Sequence, residues 1–286
     1  MIVCFGSLNH DLVLPMARLP RSGETLAARR LVGARGGKGH NQATAAARLG
    51  GTVAMVGAVG RDEAGASLRD GLAADGVATD HVVTVDGPTG TAVCLVGDDG
   101  ANAIVIVAGA NGTVSPALAE AASGVLAGAS LLLLQGEVPV DASVRAAELA
   151  RSGGARVVLN PAPVPDGVER LLALADVVVA NEGEAEALGL RPDGDVVVTL
   201  GDDGVRVRGR ALPAYPATVR DPTGAGDAFV GGLAVALSEG ADLVDACRLG
   251  AAAGSCAVEV VGAEPSFPAR AAAEARRAGR PPAGGG

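Results

Sequence analysis

Residues 177–200 read VVVANEGEAEALGLRPDGDVVVTL. Two apolar runs, 177–180 and 196–200, flank a helical pattern at 182–188. The runs are continuous rather than alternating, and rich in β-branched valine. Strands of that kind are buried on both faces, as in a parallel sheet covered by helices. Parallel neighbours need a crossover connection, and the helical pattern between the runs supplies one. The stretch therefore reads as one strand–helix–strand unit. Its link from Leu188 to Val196 is very short.

The same unit repeats outward from there. Candidate strands at 2–5, 53–56, 131–134 and 156–159 alternate with helical patterns at 41–49, 64–74, 116–126 and 141–151. Two longer helical patterns follow at 225–238 and 243–258. This order predicts an α/β fold: a three-layer α/β/α sandwich with a mostly parallel central sheet. Two segments break the alternation. Residues 12–33 contain Pro15, Pro20 and a polar turn, and 91–96 and 103–107 flank GDDGAN as a hairpin. They are expected to form a small projecting β-sheet, a lid, over about 12–34 and 90–108. No linker separates independent units, so residues 1–286 are expected to be a single domain. The tail at 280–286, RPPAGGG, reads as disordered.

Of the 286 residues, 49% are hydrophobic and 19% charged, which excludes a disordered chain. The formal net charge of −9 argues against a general nucleic-acid or membrane binder. It leaves room for a nucleotide held by a few local donors and a divalent cation. No apolar run approaches the roughly 20 residues of a membrane span. The N-terminus opens into an apolar strand without a basic region or cleavage site. The expectation is a soluble, cytoplasmic protein. Cys4, Cys94, Cys247 and Cys256 have neither C-x-x-C nor zinc-site spacing, and all four are expected as reduced core residues.

Residues 221–229, DPTGAGDAF, place a glycine-rich turn before an apolar helix, with Asp227 in the first helical turn. Unpaired N–H groups and a partial positive charge make such a helix start an anion cradle. Gly224 and Gly226 lack the Cβ atoms that would hold a phosphoryl group away. A carboxylate beside that cradle can take a proton from a hydroxyl attacking phosphorus; otherwise it is an ordinary helix-start acid. Residues 36–43, GGKGHNQA, fail the P-loop spacing. They read as a flexible glycine hinge presenting Lys38 and Asn41 to a polar ligand, or as a plain turn with a solvated lysine. Asn9, Asp11 and Glu137 follow apolar strands, where α/β folds bind ligands. Asn181 and Glu184 share a helix face and are candidates for holding Mg²⁺, or a helix cap and a solvated side chain. His10, His40 and His81 are isolated and read as neither metal ligands nor a nucleophile's base.

GSLNHD at 6–11, GGKGHNQA at 36–43, AGAN at 108–111, LNPAP at 159–163, NEGEAEALG at 181–189, TLGDDG at 199–204 and DPTGAGDAF at 221–229 occur in this order. Together they resemble the ribokinase branch of the PfkB carbohydrate kinases, over about residues 2–268. The resemblance implies transfer of the γ-phosphoryl of ATP to the primary hydroxyl (O5) of ribose. Asp227 would be the catalytic base, and the N–H groups of Gly224, Ala225 and Gly226 the anion hole. Asn9, Asp11, Gly37, Lys38, Asn41 and Glu137 would contact the sugar, as would Asp227. Asn181, Glu184, Thr199, Gly201, Gly204 and Gly226 would line the ATP and Mg²⁺ site, with Glu184 toward the metal. Asp221, Thr223, Ala257, Val260, Gly262 and Ser266 would hold an activating K⁺. The lid would close over the sugar and pair two subunits into a homodimer.

Three departures from the family pattern stand out. The 188–196 link lacks a helix that relatives carry. Ala251 replaces a polar residue beside the adenine. His40 replaces a small residue next to sugar contacts and is expected to influence which sugar fits. Two alternatives stay open: a family kinase for another sugar or nucleoside, and a weakly catalytic binding regulator.

Overall fold

The continuous apolar runs lie side by side in one sheet. The computed structural model describes residues 1–279, so the tail at 280–286 lies outside the described residues. In chain order the strands are β1 (Ile2–Phe5), β2 (Asn9–Met16), β3 (Val32–Gly36), β4 (Val53–Gly60), β5 (Ala78–Val85), β6 (Gly90–Gly97), β7 (Asn102–Val107), β8 (Leu131–Gln135), β9 (Arg156–Asn160), β10 (Val177–Asn181), β11 (Val196–Thr199), β12 (Val205–Val207) and β13 (Arg210–Leu212). The helices are α1 (Lys38–Arg48), α2 (Glu63–Ala74), α3 (Pro116–Ala121), α4 (Ser123–Ala127), α5 (Val140–Ser152), α6 (Val168–Leu172), α7 (Glu182–Ala187), α8 (Ala225–Ser238), α9 (Leu243–Ala257), α10 (Ala263–Ser266) and α11 (Arg270–Arg277).

The large sheet has nine strands in the order β13-β12-β11-β10-β9-β8-β1-β4-β5. Every pairing from β5 to β11 is parallel, and only β12 and β13 join antiparallel. Alternate residues of the central strands serve opposite layers. Ile2, Cys4, Leu131 and Leu133 join the core under α1, α8 and α9, while Val3, Phe5, Leu132 and Leu134 join the core under α3 to α5. That division is why these strands carry no polar face. Strand order reverses between β1 and β8, and ligands of open α/β sheets bind at such a point.

The second sheet has four strands in the order β3-β2-β6-β7. β2 and β6 are parallel, and the flanking pairs are antiparallel. The expected GDDGAN hairpin joins β6 to β7. The lid starts earlier than expected, at Asn9, and β3 runs to Gly36, so the sheet is continuous with the candidate sugar residues. β7 lies along its edge with Ile104, Val105, Ile106 and Val107 all exposed.

Other expectations shift. The pattern at 116–126 is two helices, broken at Ala122. The 188–196 link carries no helix, and only a small cluster of Ala180, Ala185 and Val198 packs beside it. Cys4 and Cys247 are buried, but Cys94, on an interior strand of the small sheet, and Cys256, near the end of α9, are partly exposed; all four are free thiols. No helix among the described residues is long and apolar enough to cross a membrane.

Helix α8 packs closely on α1 at Gly231, where a Cβ would lie 2.7 Å from the Ala45 Cβ and 2.9 Å from the Ala46 nitrogen. Gly231→Ala is expected to cost about 1–3 kcal/mol through overpacking, read as a lower urea midpoint. Gly226→Ala is expected not to destabilise, since its Cβ would meet nothing within 4 Å.

Candidate active site

Three backbone segments converge at the carboxyl ends of β1 and β8. Gly39 lies against the turn after β1, where a Cβ would be 2.6 Å from the Ser7 nitrogen. Gly37 precedes α1 with φ of 87°, a left-handed value that suits glycine. Ser7 Oγ donates to Glu137 Oε2, which also accepts the Lys38 N–H at 2.9 Å. Lys38 and Gly39 are therefore the first turn of α1, packed in place. The flexible hinge read from the glycines is corrected: these glycines serve close approach and a fixed turn.

Lys38, Asn41 and Gln42 share one face of α1, as i, i+3, i+4 spacing dictates. That face meets α8. Asn41 Nδ2 donates to Asp227 Oδ2 at 3.0 Å, and Gln42 Nε2 donates to Asp227 Oδ1 at 3.1 Å. Gln42 Nε2 also reaches Asn160 Oδ1 at 3.0 Å, and Gln42 Oε1 accepts from Gln135 Nε2 at 2.8 Å. Asp227 is only 6% exposed. The Asp227 charge pushes the Lys38 ammonium up against the effect of burial, and Glu137 and Glu184 add to the rise.

On the lid side, Asn111 Nδ2 donates to Asn9 Oδ1 at 2.7 Å and to the Leu8 carbonyl at 3.0 Å. Asp11 is packed against the backbone of Gly36, where any side chain would collide with its carboxylate. Its Oδ1 is buried without a partner. Burial, then the charges of Glu137 and Asp227, push the Asp11 carboxyl up to about 7.

Beyond Asp227 the first turn of α8 opens into a cleft of about 430 Å³. Thr199, Gly201, Gly204, Ala225, Gly226 and Ala251 line it. Gly224 caps the helix with φ of 81° and lies against Ala263, where a Cβ would be 2.8 Å from the Ala263 Cα. Asn181 and Glu184 do not line this cleft. They form a capping box, with Glu184 N–H donating to Asn181 Oδ1 at 2.8 Å and Asn181 N–H donating to Glu184 Oε2 at 2.9 Å. The helix-cap reading of Asn181 thus holds, and the two side chains serve each other's backbone.

Asp221 joins two loops. Its Oδ1 accepts the Thr223 N–H at 2.9 Å and its Oδ2 the Gly262 N–H at 2.8 Å. Burial pushes this carboxyl up, but the hydrogen bonds from Thr223 and Gly262 outweigh it, and the net shift is downward. Ala257 ends α9, Val260 lies in the link that follows and Ser266 ends α10; Val260 N–H donates to the Ala257 carbonyl at 3.1 Å and Ser266 Oγ to the Ala263 carbonyl at 2.6 Å.

His40 is fully buried on another flank of α1, among Glu264, Arg35 and Asp75, and burial pushes its ring down to about 4. Its ring also neighbours the side chain of Asn41, the residue that donates to Asp227. Ser7, Gln42, Gln135, Asn111 and Asn160 were not singled out in the sequence. Gln135 and Asn160 end apolar strands in the same way as Glu137 follows one, and that was the available signal.

The folded chain keeps a proton on Asp11 that the unfolded chain loses between about pH 4 and 7. The destabilising effect of this carboxyl therefore grows as pH rises and is complete above about 7. Asp11→Asn is expected to raise the melting temperature by about 2–4 °C at pH 8 and to leave it unchanged near pH 4, measured by circular dichroism.

The family model for pfkB family carbohydrate kinases matches residues 1–270. Ribokinase from Haemophilus influenzae is 35% identical, with 94% of this chain and 95% of that protein covered. Ribokinase from Bacillus subtilis is 36% identical, over 94% of this chain and 96% of that one. The structure of Arabidopsis thaliana ribokinase complexed with ribose and ATP superposes with a TM-score of 0.84 at 32% identity, covering 96% of this chain and 98% of the other. A match along nearly the whole length, on a fold that gathers the buried carboxylate, the glycine turn and the cleft at one point, settles the family: the chain belongs to the pfkB family of carbohydrate kinases.

Proposed function

We propose that the chain transfers the γ-phosphoryl group of ATP to the O5 hydroxyl of D-ribose. The observation that carries this reading is Asp227: a buried carboxylate, oriented by two amides, on the helix turn that opens into the cleft. The similar ribokinases, one of them holding ribose and ATP together, support the substrates.

In this reading ribose lies between the lid and α1, contacted by Asn9, Asp11, Gly37, Lys38, Asn41 and Glu137. Asp227 accepts the O5 proton as oxygen attacks phosphorus. The N–H groups of Gly224, Ala225 and Gly226 meet the charge on the phosphoryl oxygens, and preset donors of this kind are worth roughly 3 kcal/mol each. ATP occupies the cleft along Thr199, Gly201, Gly204 and Gly226. Closure of the lid keeps water, the competing acceptor, away.

Mg²⁺ and K⁺ belong to the same proposal. Among the described residues no three His, Cys, Asp or Glu side chains are grouped to hold a metal. In this proposal Mg²⁺ would be held through one carboxylate, Glu184 beside Asn181, together with phosphate oxygens. The all-oxygen set of Asp221, Thr223, Ala257, Val260, Gly262 and Ser266 fits K⁺. Bound, the two cations would offset phosphate charge. The exposed apolar edge β7 suits a homodimer formed through the lid. The free thiols suit the cytoplasm.

Coupled ADP release across pentoses, hexoses and nucleosides tests the substrate, with strong preference for ribose expected. Preference for another sugar would replace ribose and keep the mechanism. Asp227→Asn is expected to lower kcat by about 10²–10⁴-fold while calorimetry still detects ribose binding. Rates in K⁺ are expected to exceed those in Na⁺, and equal rates would remove the proposed K⁺ site.

A further inference from the structure

The strongest polar cluster outside the site surrounds Glu264, a carboxylate only 7% exposed. Arg35 on the lid strand β3 grips it with both ends of its fork: Nε to Oε2 and Nη2 to Oε1, each at 2.7 Å. The partners are 229 residues apart in sequence. Arg48 of α1 donates to the Glu264 carbonyl at 2.5 Å, and its remaining nitrogens bind Asp75 at the end of α2, at 2.8 and 3.0 Å. His40 fills the space among these charges, beside the Asn41 side chain.

Both ends of the Arg35–Glu264 pair sit beside parts of the site. Arg35 immediately precedes Gly36 and Gly37, the backbone against which Asp11 and Asn9 are packed. Glu264 follows Ala263, whose Cα backs Gly224 of the glycine turn. The same α10 turn is tied to Asp221 through the Gly262 N–H. One buried carboxylate therefore joins the lid strand to the turn behind the proposed anion hole. Its bidentate geometry fixes direction as well as distance.

We propose that Glu264 is a positioning residue whose pair with Arg35 couples the lid to the glycine turn, so that sugar and phosphoryl subsites are set together. Movement of β3 toward a bound sugar pulls on Glu264, and Glu264 carries the α10 turn that Gly224 rests on. Neither residue is among those placed against the substrates. The coupling rests on the ribose and ATP reading for its kinetic consequence, but the mechanical link does not.

The test uses Arg35→Met, Glu264→Gln and the double variant, each first shown to be folded by circular dichroism. Amide hydrogen exchange is read at residues 224–226, with α5 as internal control. Either single change is expected to speed exchange at 224–226 about two- to thirtyfold, the range of coupling effects of 0.5–2 kcal/mol, and to leave α5 unchanged. The double variant is expected to go no further than the singles, since the two side chains act as one unit. In kinetics, kcat for ribose is expected to fall by a similar factor, with the Kd for ribose alone changing less. Unchanged exchange at 224–226, or effects of the singles that multiply in the double variant, would overturn the proposal. If the wild-type chain did not phosphorylate ribose, the substrate reading would fall, and hydrogen exchange would still decide the coupling.

Discussion

The structure turns on keeping one negative charge almost out of water. A buried carboxylate is costly unless its oxygens are hydrogen-bonded. Asp227 meets that requirement with amides from Asn41 and Gln42. An amide orients the carboxylate without adding a full positive charge. Its geometry is therefore set before any ligand arrives. The requirement propagates outward. Gln42 must be held by Gln135 and Asn160, which fixes the ends of β8 and β9. α1 must approach α8 closely, which demands Gly231 and the alanines it meets.

The charges divide the site into two chemical halves. Glu137 and Asp227 act on both Asp11 and Lys38, so one half carries three carboxylates and a single ammonium. Hydroxyl groups, as donors, suit that acidic half. The other half offers backbone N–H groups of α8 and a cleft without a lysine or arginine in its lining. In the proposed reaction, neutral donors there would hold an anion without competing for it as a counter-ion would, which suits a group that must be passed on.

Much of the architecture was legible in the sequence, for identifiable reasons. β8, β9, β10 and β11 stood out because burial on both faces leaves an unbroken apolar run. β5 did not, because ATDHVVTV at the sheet edge is only half buried and reads as ordinary surface. The start of α1 was hidden by Gly36, Gly37 and Gly39, which mimic a loose turn; close backbone approach cannot be told from flexibility in a sequence. Asp227 and the glycine turn were legible because helix-end electrostatics is local. Gln42, Gln135 and Asn160 were not, because their bonding spans four elements. The burial of His40 was not legible either, because Glu264, Arg35 and Asp75 reach it from other elements. Asn181 and Glu184 were seen together, but the pattern that pairs them also builds a cap.

The bidentate contact between Arg35 and Glu264 also has a meaning in time. A ribosome delivers Glu264 229 residues after the strand that awaits it. Until then Arg35 has no partner on that side, and the Ala263 backbone against which Gly224 rests has not been made either. The contact can close only after the α10 turn has been synthesised, so the lid strand and the glycine turn take their final places together and late.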